Sequence, residues 1–202
     1  MITDAILRGQ RVILVPYQTE HVQQYHQWMS DPVLRELTAS EPLTLDEEYS
    51  MQKKWQDDPD KLTFIILARE NDEDLSANRM VGDINLFLKG QPEDDEFEAE
   101  VEIMIAELAY RRKGLALEAL RLMLTYVTAP PFSPCASLPS HTLSTPPPPP
   151  PLPLPVHPSR LVVRISRSNQ PSIKLFLQLG FAVVRVVEVF DEVEMRMIEC
   201  AN

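Results

Sequence analysis

Glu102-Ile-Met-Ile-Ala-Glu-Leu-Ala-Tyr-Arg-Arg-Lys-Gly-Leu-Ala116 carries the chain from a strand pattern, through a loop and a basic triplet, into a helix. Upstream, Phe97, Ala99, Val101, Ile103 and Ile105 alternate with Glu98, Glu100, Glu102 and Met104, the period of a strand with one apolar face. Downstream, Leu117, Leu120, Leu124 and Val127 recur at helical spacing within 111–127. A helix that starts here presents orphan N–H groups and the positive end of its dipole, which suits phosphate. Gly114 lets a ligand approach the backbone with no Cβ in the way. Arg111-Arg112-Lys113 is the only run of three basic residues in a chain of formal net charge −11. Such a cluster is what a diphosphate-bearing cofactor needs, although a basic surface loop ahead of a helix has the same pattern.

On either side the elements alternate in type. Arg11–Val15 is β-branched and stops at Pro16, so it predicts a strand. A helix follows from Thr19 or Glu20 to Met29, and Asp31-Pro32 opens another with Asp31 as N-cap. Thr44-Leu-Asp-Glu47 is a capping box for a helix carrying Glu48, Met51, Gln52 and Trp55. Strands are expected at 62–68, 80–88 and 161–165, a helix at 169–179 ended by Gly180, and a closing hairpin from 181–189 and 192–198. Trp28 and Trp55 fall at core spacing, and His21 and His26 flank a helix with no paired carboxylate motif, so a surface role is expected of them rather than catalysis. The order predicts a mixed α/β (α+β) domain, a central sheet flanked by helices, occupying 1–202 as one unit.

One segment breaks that pattern. Thirteen of the 19 prolines fall between Pro130 and Pro158, in a stretch with no Lys, Arg, Asp or Glu. Each proline removes a backbone donor and fixes φ, so this stretch is expected to be a disordered insertion, 129–159, between the 111–127 helix and the next strand. Within it, 146–155 should be polyproline II, which reads either as a docking site for a polyproline-binding module or as a flexible insertion. Translated intron sequence is a third origin for it.

The acidic balance argues against nucleic acid and anionic membrane as partners. Two cysteines and four scattered histidines give no metal-ligand spacing, so no metal is expected. No apolar run reaches the roughly 18 residues of a membrane span, and the N-terminus lacks the basic start of a signal peptide. A cytoplasmic location, also nuclear, is the expectation.

Arg111-x-x-Gly114-x-Ala116 resembles the acyl-CoA signature of the GNAT family of N-acetyltransferases. Asn169-Gln-Pro-Ser172-Ile-Lys-Leu-Phe176-Leu-Gln-Leu-Gly180-Phe181 is similar to that family's later helix-to-strand segment. Residues 37–44, 81–87 and 100–105 resemble its N-acetyltransferase-9-like branch. The resemblance implies a GNAT-type fold with a mostly antiparallel sheet, acetyl-CoA as acyl donor, and a protein or peptide amine, expected to be an α-amine, as acceptor. It places cofactor contacts at Met104, Ile105, Arg111, Arg112, Lys113, Gly114, Leu115, Ala116, Asn169, Ser172 and Phe176, and acceptor selectivity in the 37–44 loop. Two departures stand out. Phe176 occupies the position where many members have a tyrosine general acid, and Arg112 replaces a frequent glycine.

Attack on a thioester needs a deprotonated amine. Glu100 and Glu102 are the candidate bases, and crowding with Glu98 is expected to raise their pKa values. A solvated acidic strand face reads equally well. Two other functions stay open: a catalytically weak acetyltransferase-fold scaffold recruiting partners through the polyproline loop, and a polyamine acetyltransferase drawn by the acidic face.

Overall fold

The computed structural model describes residues 3–71, 74–128 and 153–198. Eight strands form one sheet: β1 (Leu7–Arg8), β2 (Val12–Pro16), β3 (Lys61–Ala68), β4 (Arg79–Lys89), β5 (Glu98–Ile105), β6 (Leu161–Ser166), β7 (Phe181–Val187) and β8 (Glu192–Met197). Their spatial order is β1-β2-β3-β4-β5-β6-β8-β7. Every neighbouring pair is antiparallel except β5 and β6, which run parallel. Among the described residues five α-helices accompany the sheet: α1 (Val22–Met29), α2 (Pro32–Leu37), α3 (Leu45–Asp57), α4 (Leu115–Val127) and α5 (Gln170–Gln178).

Local chemistry sets the helix starts. The Asp31 side chain accepts from the Val33 amide with Pro32 in the first turn of α2. Thr44 and Glu47 make the reciprocal capping box of α3. The helix expected from Thr19 is split: Thr19–His21 is a 3-10 turn, and α1 begins at Val22. Gly180 ends the α5 segment at φ +91°, where a side chain would be strained.

β3 is buried along its whole length, because both faces of the sheet are covered. Leu62, Phe64 and Ile66 join Ile84, Leu86 and Val101 beneath Leu120, Met123 and Leu124 of α4 and Ile173 of α5. Ile13, Val15, Ile65 and Met104 face the other way, against Val22, Tyr25, Trp28 and Met29 of α1. The expected alternation along β5 therefore holds: Ala99 and Val101 serve the α4 side, and Met104 serves the α1 side. Trp28 is buried as expected, and Trp55 is half-buried against the same layer.

Two features differ from the sequence reading. β1 was not expected; two residues carry no period, and the strand exists only through its pairing with Ile13 and Leu14. The expected insertion, 129–159, lies outside the described residues as far as 152. Its last part is packed: Leu154 and Val156 are buried in the α4-side core, and the Val156 amide donates to the Val127 carbonyl at 2.8 Å. Within the expected docking stretch, 146–152 lies outside the described residues, and Leu154 is committed to the core. Among the described residues no helix is long and apolar enough to cross a membrane, and no group of His, Cys, Asp and Glu could hold a metal ion.

Candidate active site

β5 and β6 pair only at Ala99 with Leu161 and Glu100 with Val162. Beyond that point the strands separate, so Val101–Ile105 has a partner on the β4 side only. A gap in a sheet exposes backbone groups that an extended ligand can satisfy. The gap opens toward the loop that starts α4.

That loop begins with an irregular end to β5. The Ala106 and Glu107 amides both donate to the Val81 carbonyl. The Met104 carbonyl lies so close to Gly82 that a Cβ there would overlap it, so this carbonyl faces β4 and not the gap. Arg111 Nε donates to the Ile105 carbonyl at 2.7 Å. Arg111 thus ties the loop to the strand, and the Ile105 carbonyl is engaged within the chain. Arg112 adopts φ +62°, the left-handed region, which explains why glycine suits this position and costs Arg112 about 1–2 kcal/mol. Lys113 is exposed, 5.4 Å from the Tyr110 ring centroid. Gly114 is the N-cap of α4 at φ +80° and supplies no side-chain cap. By contrast, α2, α3 and α5 are all capped by their own Asp31, Thr44 and Asn169. The first amides of α4 are left for another acceptor. Leu115 turns its side chain into the core and Ala116 is half-buried, so they can offer only backbone.

On the other arm, β6 leads through 167–168 to Asn169, whose side chain accepts from the Ser172 amide at 3.2 Å. Asn169 is therefore a helix cap, and Ser172 sits half-buried in the first turn. Phe176 does not present its ring to the gap: it is 3% exposed and packs edge-on against Phe181, with ring centroids 5.2 Å apart. The missing phenol at 176 is a core-packing feature here.

The acidic face of β5 divides in two. Glu100 is buried and bound by Lys89 and by Arg164, whose NH1 donates to it at 2.7 Å. Arg164 also holds Glu98 and Glu194, and Arg196 bridges the same two acids. Burial pushes Glu98 up, but the hydrogen bonds and charges of Arg164 and Arg196 outweigh it and leave its pKa below the usual range. The rise expected from crowding of acids is found at Glu102, where, after desolvation, Glu100 and Asp83, rather than Glu98, are the neighbouring acids that raise it. Glu102 differs. It lies in the part of β5 that has left β6 and keeps an exposed edge, while the groups packed around its carboxyl partly desolvate it and raise its pKa, with the charge of Glu100 second.

Beneath Glu102 lies a polar row that sequence reading missed. Asn85 stands opposite Glu102 and Thr63 opposite Asn85. Thr63 Oγ1 donates to Asn85 Oδ1 at 2.7 Å, and Asn85 Nδ2 donates to Asp83 Oδ2 at 2.8 Å. Asp83 is buried, which pushes its pKa up to about 6 against the opposing hydrogen bond from Asn85 and the charge of Lys61. Lys61 lies over the Phe87 ring at 4.2 Å, and burial pushes it down to about 7. Alternate polar residues Asp83 and Asn85 inside an apolar strand were the available signal.

Asp83 has a measurable consequence. The folded state holds its proton more tightly than the unfolded chain, so stability falls as pH rises from about 4 to about 6. Asp83→Asn keeps the shape without the charge. It is expected to lose Asp83's share of the slope across that window and to be more stable than the parent at pH 7 by about 1–3 kcal/mol in urea unfolding.

Residues 11–182 match the acetyltransferase (GNAT) domain family. Alpha/beta-tubulin-N-acetyltransferase 9 of Drosophila melanogaster is 44% identical over 190 residues, 93% of this chain and 83% of that protein. The N-acetyltransferase 9-like protein of Caenorhabditis elegans is 47% identical over 190 residues, 91% of this chain and 81% of the relative. The chain belongs to the GNAT acetyltransferase family, in its N-acetyltransferase 9-like branch. As a GNAT member it is an N-acetyltransferase. Spermidine N-acetyltransferase from Vibrio cholerae, solved with CoA and spermine, has the same fold at a TM-score of 0.67 and 16% identity, over 93% of this chain and 95% of that one.

Proposed function

We propose that the chain transfers the acetyl group of acetyl-CoA to the α-amine of a protein or peptide. The observation that carries this reading is the β5–β6 separation opening beside an α4 start that has no side-chain cap. Amides of 112–116 would receive the pyrophosphate, with Lys113 and Arg112 adding charge. The acyl arm would run along the unpaired part of β5, with Asn169 and Ser172 bordering the opposite arm of the gap. Residues 37–44 would border the acceptor.

In the reaction the amine nitrogen forms a bond to the thioester carbonyl carbon, the C–S bond breaks, and the thiolate takes a proton from solvent. Glu102 receives the amine's proton, directly or through a water. Glu100 is the weaker candidate because it is buried and its carboxylate already accepts from Lys89 and Arg164.

The relatives named for tubulin support a protein acceptor. A polyamine acceptor is the second reading, favoured by the open acid at Glu102 and by the spermidine enzyme's fold. Mass spectrometry separates them: incubation with acetyl-CoA and tubulin N-terminal peptides, N-blocked peptides containing lysine, and spermidine. Acetylation of free N-termini is expected. Product on spermidine alone would establish the polyamine reading, and no product despite acetyl-CoA binding would establish a scaffold.

A further inference from the structure

We infer that Arg11 is a positioning residue for acyl-CoA, acting with Glu118 through the peptide plane between Lys113 and Gly114; this rests on the acetyl-CoA reading of the α4 loop. Arg11 lies at the entry to β2, far from the signature in sequence. Its NH1 donates to the Lys113 carbonyl at 2.9 Å. The C=O of Lys113 and the N–H of Gly114 share one planar trans peptide and point in opposite directions. Holding the carbonyl toward Arg11 therefore aims the Gly114 N–H away from it. Gly114 tolerates both signs of φ, so without that bond its peptide is free to flip and present a carbonyl where phosphate oxygens would sit.

The arginine is itself held. Glu118 lies in the first turn of α4, is 1% exposed, and accepts from the Gln10 amide, from the Arg11 amide at 2.9 Å and from Arg11 Nε at 3.1 Å. A buried carboxylate with these donors is satisfied, and losing one would be costly. Gly9 completes the fit, since a Cβ there would overlap Glu118 Oε1. The two terminal guanidinium nitrogens lie 3.1 Å from where a Cβ on Gly114 would stand. The Gly9-Gln10-Arg11 turn thus grips α4 by its first turn and its entry peptide together.

The test is CoA affinity by calorimetry for the wild type, Arg11→Gln, Arg11→Ala and Arg11→Lys, at low and at about 0.5 M salt, where charge contacts are screened. Arg11→Gln keeps the stem and guards against a variant that fails to fold. About tenfold weaker CoA binding is expected for Gln and Ala, with partial recovery in Lys, the same ratio to wild type at both salts, and kcat at saturating acetyl-CoA within about twofold. Unchanged affinity in Arg11→Gln and Arg11→Ala would overturn the inference. So would a ratio that falls to one at high salt, which marks a direct charge contact with phosphate. A wild type that binds no CoA would instead refute the acetyl-CoA reading of the loop.

Discussion

Gly114→Val is expected to weaken CoA binding by at least about a hundredfold, a loss of about 3 kcal/mol or more. Three effects act together at this residue. Its φ of +80° excludes a β-branched side chain at a cost of about 1–3 kcal/mol. Its Cβ would stand 3.1 Å from both terminal nitrogens of Arg11, so the added methyl groups displace the guanidinium from the Lys113 carbonyl. The same bulk covers the first amides of α4. Gly180 is the matched control. It has φ +91° and only the Met197 sulfur nearby, at 3.5 Å, so Gly180→Val carries the same backbone strain away from the gap. Denaturant unfolding should show both variants destabilised, whereas calorimetry should show only Gly114→Val impaired. Equal CoA affinity in Gly114→Val and the wild type would remove the α4 start as the phosphate site.

What could be read in the sequence was local chemistry. The capping box of Thr44 and Glu47, the Asp31-Pro32 start and the Gly180 terminator depend on residues within a turn of each other, and all three appear as read. Alternation along β5 was legible for the same reason, since each face has its own core. Contacts across the sheet were not. Glu100 looked like a free acid because Lys89 and Arg164, which neutralise it, are 11 and 64 residues away. Glu118 drew no reading from the sequence, since its donors stand 107 and 108 residues back in the Gly9–Arg11 turn. Phe176 was placed by resemblance at the cofactor, but the ring goes where burial is largest, against Phe181. The proline-rich stretch was bounded by composition, which could not show that Leu154 and Val156 pack against the end of α4.

Glu102→Gln is expected to lower kcat by about a hundredfold to a thousandfold, the span of a lost general base. The groups that face Glu102 set the pH at which it works. Partial desolvation of this exposed-edge carboxyl comes first and Glu100 second, both raising its pKa, with Asp83 acting the same way; Lys61 and Lys89 act in opposition and only in part. The acid therefore holds its proton to a higher pH than an ordinary carboxylate. Activity should rise with pH as that proton leaves, and the limb should vanish in the glutamine variant. Stability moves in the other direction. The native state binds this proton more tightly than the unfolded chain, so it loses stability as pH rises through the raised value, and Glu102→Gln should unfold no earlier than the wild type at pH 7. The affinity for CoA should be unchanged, because the α4 loop is untouched. Glu100→Gln gives the opposite result. Removing a buried acid from between Lys89 and Arg164 leaves Arg164 short of a partner and should cost about 1–3 kcal/mol of stability, with kcat per folded molecule within a few-fold. If Glu100→Gln loses the pH limb and Glu102→Gln keeps it, the base is Glu100, and the ion pairs must open when the acceptor binds.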